Sequence, residues 1–247
     1  MNISKKRAEE IIDFIKGLNL DKKYQKEFTN EKIINLLYIN ESLTHSSANS
    51  EVNYENLEFL GDAVLRLIAS DFIKNKYPYM QVGERSELRS HLVSDQWLEE
   101  VGKKINIQSV LVIGKKALKD KSANATIHAE ATEALIGALY ESLTSLDPIQ
   151  NWLIPFWEDK SNEVLADPHR QNYKSALQEL TQSKGLSIPT YKTTEIDKKH
   201  DNPNRFFCTV YIKDRSIADG WGKSMKQAEK DAANKALKSL DKNVIDL

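Results

Sequence analysis

The chain has 247 residues, 40% of them hydrophobic and 29% charged, with a net charge of −1. That is enough for one large domain or two smaller ones and too apolar for a disordered chain. No run approaches the roughly 18–20 apolar residues of a membrane span. The basic start Met1–Arg7 leads into Glu9, Glu10 and Asp13, so neither a signal peptide nor a transit peptide is read there. A single cysteine, Cys208, excludes an intrachain disulfide and a cysteine-based zinc site, and the expected compartment is the cytoplasm. Residues 1–166 carry a net −5 and residues 167–247 a net +4, which suggests two modules, the second suited to a polyanion.

In chain order, residues 1–22 are amphipathic, and the first half reads as helix after helix. Apolar residues at helical spacing predict helices over Glu31–Leu43, Leu57–Lys74, Glu84–Ile105 and Ile127–Leu143. Thr44–Ser50 reads as a polar turn, and the Lys- and Asn-rich stretch Gly114–Thr126 as a loop. The pattern changes after Asp167-Pro168. A helix over Asn172–Gln182 is followed by strands at Tyr191–Glu195, Arg205–Ile212 and Ser216–Trp221, and Ser224 caps a last helix running to about Leu240. The expected fold is an all-α domain joined to a small α+β module of order α-β-β-β-α. The run Gly220-Trp-Gly-Lys-Ser224 superficially resembles a phosphate-binding loop, but Ile217 stands where its first glycine belongs, and no nucleotide cofactor is expected.

Two helices carry misplaced charge. Between Leu57 and Ala69 the charged residues are Glu58, Asp62 and Arg66. Glu55, Glu58 and Asp62 fall within about 60° of one another on the helix. In His128–Tyr140, Glu130 and Glu133 share one face of a small, apolar segment, with Gly137 one turn on. Like charges on one stripe repel, and desolvating them without a partner costs several kcal/mol per ion. If the two helices face each other at Gly137, their carboxyl groups form an all-oxygen site suited to Mg²⁺, with Mn²⁺ as a substitute.

These residues resemble the ribonuclease III family. Asn56-Leu-Glu-Phe-Leu-Gly-Asp-Ala-Val-Leu65 matches its signature, and Leu43-Thr-His-x-Ser47, Gly83-Glu-x-Ser-x-Leu-Arg89, Leu92-Val-Ser94 and Glu133-Ala-Leu-Ile-Gly-Ala138 follow in the family's order. The resemblance implies a catalytic domain over residues 25–162 behind an N-terminal extension (1–24), a linker (163–171) and a double-stranded-RNA-binding domain (172–241). It implies a homodimeric, Mg²⁺-dependent endonuclease that cuts double-stranded RNA to 5′-phosphate and 3′-hydroxyl ends with a short 3′ overhang. Its substrates would be precursor ribosomal RNA and other structured transcripts, including messenger RNA. Asp62 and Glu133 take catalytic positions, and Glu58, Asp62, Glu130 and Glu133 the metal-binding ones. Glu130 stands where the family usually has Asp, which leaves open whether it ligates directly or through water. Glu55 takes an accessory acidic position, and Phe59 packs across the dimer seam.

The same resemblance assigns RNA contacts in the second module. Gln178 and Glu179 on its first helix face a minor groove, and His200 in the first inter-strand loop enters the next. Lys226 meets phosphates at the start of the last helix, with Lys223 and Lys230 beside it. Met225 stands where a second lysine is usual, so binding should be weakened but salt-sensitive. Two alternatives stay open: a non-catalytic double-stranded-RNA-binding scaffold of the same fold, and a helical metal enzyme acting on a small phosphorylated substrate.

Overall fold

In the computed structural model, residues 3–241 are described except positions 30, 50, 121, 122, 168, 170, 171, 200 and 201. The chain divides into two compact units that meet between Val164 and Leu165. The first is helical: α1 (Lys5–Gly17), α2 (Lys22–Gln25), α3 (Ile33–Ser42), α4 (Glu55–Lys76), α5 (Val82–Leu92), α6 (Asp95–Lys104), α7 (Asn124–Leu143) and α8 (Asp147–Ala166). Among the described residues its one β feature is a single parallel bridge, Thr44 to Val112.

The helix expected over Glu84–Ile105 is two helices, α5 and α6. Ser94 ends the run, because its Oγ accepts the backbone N–H of Trp97 at 3.2 Å and opens a new helix. The bend lets Trp97 stack on Trp157 of α8, ring centroids 5.9 Å apart, while the Trp157 indole donates to the Leu92 carbonyl at 3.1 Å. Phe72 of α4 completes this cluster, 5.3 Å from Trp157. Within the stretch expected as the loop Gly114–Thr126, a short 3₁₀ turn forms at Ala117–Lys119 and α7 already begins at Asn124. The amphipathic start becomes α1, which buries Ala8, Ile11 and Ile15. Arg7 secures it by donating to Asn40 Oδ1 at 2.9 Å and to the Val110 carbonyl at 2.7 Å.

α4 and α7 form the spine of this unit. They cross in backbone contact: a Cβ on Gly61 would sit 2.0 Å from the Glu133 carbonyl oxygen, and one on Gly137 would sit 2.2 Å from that of Leu57. No residue but glycine fits either position without separating the helices.

The second unit runs α9 (Tyr173–Ser183), β1 (Thr190–Glu195), β2 (Phe206–Ile212), β3 (Arg215–Gly222) and α10 (Met225–Asp241). The strands form an antiparallel sheet in the order β1-β2-β3, with a register shift between Val210 and Tyr211. Alternation along β2 sends Cys208, Val210 and Ile212 inward onto Leu177 of α9 and the alanine face of α10. Gly220 and Gly222 let α10 close on β3, since a Cβ at either would lie within 2.5 Å of an α10 backbone nitrogen. That packing explains the glycines around Trp221, which resemble a phosphate loop only by letter.

Candidate metal centre and nucleic-acid interface

The crossing of α4 and α7 sets the candidate site. Glu58 and Asp62 flank Gly61 on one helix; Glu130 and Glu133 precede Gly137 on the other. All of these carboxylates are half-buried, whereas Glu55 is exposed at the start of α4. Burial pushes the Glu133 carboxyl up to about 8, and the charges of Asp62, Glu58 and Asp95 push the same way. Arg66 opposes them. Glu58 is likewise raised above the ordinary carboxylate range, by burial first and then by Glu130, Glu55 and Asp95. Across the crossing, the charge of Glu130 thus falls on Glu58, and the charges of Glu58 and Asp62 fall on Glu133.

Two of these groups are held by neighbours. Arg66 Nε donates to Asp62 Oδ1 at 2.6 Å, one turn along α4. The Tyr54 hydroxyl donates to Glu130 Oε2 at 2.5 Å. Burial, and then this hydrogen bond, raise the Tyr54 pKa above its ordinary value, so Tyr54 stays a protonated donor. Among the described residues, no group of three or more acidic, histidine or cysteine side chains is placed so that it could hold a metal ion as the side chains stand. The donor types nonetheless fit a hard divalent cation: all four are carboxylates, and neighbouring negative charge raises the proton affinity of Glu58 and Glu133, a penalty that a cation would relieve.

Tyr54, Gly61, Arg66 and Asp95 were not singled out from the sequence. A glycine facing Gly137 across the crossing was a legible signal for Gly61, and the i, i+4 spacing was one for the Asp62–Arg66 pair. Tyr54 and Asp95 reach the site only through the fold. His45 is half-buried and bonded to Ser47, its Nδ1 lying 2.6 Å from Ser47 Oγ, with its ring edge-on to Tyr54.

Phe59 lies on the outer side of α4 and is 83% exposed. Ala63 and Leu67, at helical spacing from it, are exposed as well, so α4 carries an uncovered apolar stripe. In the second unit, Gln178 and Glu179 are exposed on α9, and Lys223 and Lys226 are exposed at the start of α10. Met225 stands between those two lysines, 52% exposed. The backbone N–H of Gln227 donates to Ser224 Oγ at 3.3 Å, capping α10 there. Lys230 is half-buried, with its ammonium 5.8 Å from the centre of the Tyr173 ring. His200 lies outside the described residues, as does Pro168 of the expected linker.

A helical unit built on a close acidic crossing, followed by an α-β-β-β-α module, defines a nuclease-type domain with a duplex-RNA-binding partner. Residues 36–145 match the model "Ribonuclease-III-like", and residues 173–240 match "Double-stranded RNA binding motif". The chain is 52% identical over 238 residues to Ribonuclease 3 of Prochlorococcus marinus, covering 96% of both chains. It is 37% identical to Ribonuclease 3 2 of a Nostoc species, over 81% of this chain and 82% of that one. The crystal structure of the nuclease domain of ribonuclease III from Campylobacter jejuni shares the fold, with a TM-score of 0.50 at 23% identity, over 61% of this chain and 93% of that one. The chain belongs to the ribonuclease III family, a class of metal-dependent nucleases. No helix among the described residues is long and apolar enough to cross a membrane.

Proposed function

We infer that the protein is a double-stranded-RNA-specific endoribonuclease. It hydrolyses phosphodiesters with Mg²⁺ and leaves 5′-phosphate and 3′-hydroxyl ends with a short 3′ overhang. The observation that carries this reading is the Gly61–Gly137 crossing, which gathers acidic side chains from two apolar helices and pushes Glu133 up to about 8. Glu58, Asp62, Glu130 and Glu133 are the residues to hold the cation, and Glu55 adds negative charge at the rim. A bound cation supplies charge neutralisation at the phosphate and a water of lowered pKa. Asp62 and Glu133, one from each helix, would orient that cation. The catalytic domain is assigned to residues 25–162 and the RNA-binding domain to 172–241.

The second unit grips A-form RNA by shape. Lys223 and Lys226 stand at the start of α10, where backbone N–H groups and helix dipole both favour phosphate. Gln178 and Glu179 face a minor groove, with His200 in the next, and Lys230 supports the phosphate contacts of Lys223 and Lys226. The stripe of Phe59, Ala63 and Leu67 is assigned to a second copy of the chain, so that each subunit of a homodimer cuts one strand. Precursor ribosomal RNA and structured messenger RNA are the proposed substrates, in the cytoplasm. The test is cleavage of a long duplex RNA with and without Mg²⁺. Cleavage that needs Mg²⁺ and spares single strands is expected; saturable duplex binding with no cleavage would reduce the protein to a binding scaffold.

A further inference from the structure

We propose that Tyr54 is a positioning residue for the divalent cation: it fixes the carboxylate of Glu130 so that this long, flexible side chain serves as a ligand. The inference rests on the assignment of Glu130 to the metal site made above.

Tyr54 is held by a framework that owes nothing to α7. It is 2% exposed, and its backbone N–H donates to the Thr44 carbonyl at 3.0 Å. The His45 ring meets it edge-on, centroids 5.4 Å apart and planes at 80°. Thr44 and His45 are in turn laced to the segment around Val112. Val112 N donates to Leu43 O at 2.8 Å, and His45 N donates to Val112 O at 2.9 Å. Gly114 N donates to Ser47 Oγ at 2.9 Å, and a Cβ at Gly114 would lie 2.3 Å from the Ser47 carbonyl oxygen. The phenol is thus fixed from below, and its hydroxyl reaches Glu130 Oε2 across 76 residues of sequence.

A glutamate has three side-chain torsions, and freezing them on binding a cation costs about tenfold in affinity. A donor already on Oε2 removes most of that cost. It also leaves Oε1 to face a cation, because a carboxylate accepts at both oxygens. Groups that orient metal ligands in this way change metal affinity by about ten- to a hundredfold when removed.

The test is Mn²⁺ titration of the full-length protein, followed by loss of the free Mn²⁺ paramagnetic resonance signal, in a double-mutant cycle. Tyr54→Phe keeps the ring and removes the donor; it should weaken Mn²⁺ binding about tenfold. Glu130→Gln should weaken it too, and adding Tyr54→Phe to Glu130→Gln should change binding by less than about twofold. Glu130→Asp, which draws the carboxylate back from Tyr54, gives the same comparison while keeping a charged ligand. It should bind Mn²⁺ more weakly than the parent and lose its sensitivity to Tyr54→Phe. If Tyr54→Phe binds Mn²⁺ as well as or better than the parent while Glu130→Gln weakens it, the inference falls and the Glu130 assignment stands. A tenfold Tyr54→Phe effect that persists unchanged beside Glu130→Gln overturns the inference in the same way. Unaltered Mn²⁺ binding by Glu130→Gln overturns both.

Discussion

Replacing Glu133 with glutamine should stabilise the metal-free protein while abolishing cleavage. The Glu133 carboxyl rises from an ordinary 4.5 to about 8 in the fold, so the folded state holds its proton more tightly than the unfolded chain does. The stability this group contributes is complete below about pH 4.5 and is lost as pH rises through about 8. Taken in full, ionising it within the fold costs on the order of 5 kcal/mol. Glu133 is only half-buried, and solvent screening cuts that to roughly 2 kcal/mol. Glutamine keeps the shape without the charge, so at pH 8 Glu133→Gln should melt about 4–8 °C above the parent in chelator. At pH 5 the two should melt together. Saturating Mg²⁺ should raise the melting temperature of the parent at pH 8 and close most of the gap. The assay is a pair of thermal melts at each pH. Equal melting temperatures at pH 8, or a variant that melts lower there, would refute the claim that burial and neighbouring carboxylates make an ionised Glu133 costly to the fold.

Other outcomes follow from the same geometry. Asp62→Asn should leave duplex-RNA binding intact in a gel-shift assay and reduce single-turnover cleavage by more than about a hundredfold. Gly137→Ala must push α4 from α7 to relieve a 2.2 Å contact, so it should cost at least about 1–3 kcal/mol in urea denaturation and impair cleavage as well. Lys226→Ala should weaken RNA binding and flatten the dependence of log affinity on log salt by about one, whereas Met225→Lys should strengthen binding and steepen that slope. Phe59→Asp should shift sedimentation from dimer to monomer without lowering the melting temperature of the monomer, since Phe59 is 83% exposed.

Features with a strong local signature were legible in the sequence. The acidic stripe of α4 stood out because charge interrupts an apolar helix, and Gly137 pointed to a close crossing. The second module could be read from its alternating strands and its serine cap at Ser224. Features that depend on distant partners were hidden. Helical periodicity runs straight through Val93 and Ser94, so the α5–α6 break shows only in the cap on Trp97 and in the stack of Trp97 on Trp157. Tyr54 precedes the acidic helix and gives no sign of a hydroxyl bound to Glu130, because that contact is made by the folded path of the chain. Asp95 lay inside the single helix expected over Glu84–Ile105, yet its charge falls on Glu58 and Glu133. Residues 1–22 looked amphipathic without an evident surface to cover; the surface is supplied by the folded unit, with Arg7 bonded to Asn40 and Val110.

The central claim is that carboxylates from α4 and α7 are gathered for a divalent ion. The most direct measurement is anomalous diffraction from crystals of the full-length protein soaked in Mn²⁺. The account predicts a Mn²⁺ peak bounded by Glu58, Asp62 and Glu133 at the Gly61–Gly137 crossing, and its loss in Glu133→Gln crystals. Manganese bound elsewhere, with that crossing empty, would contradict it.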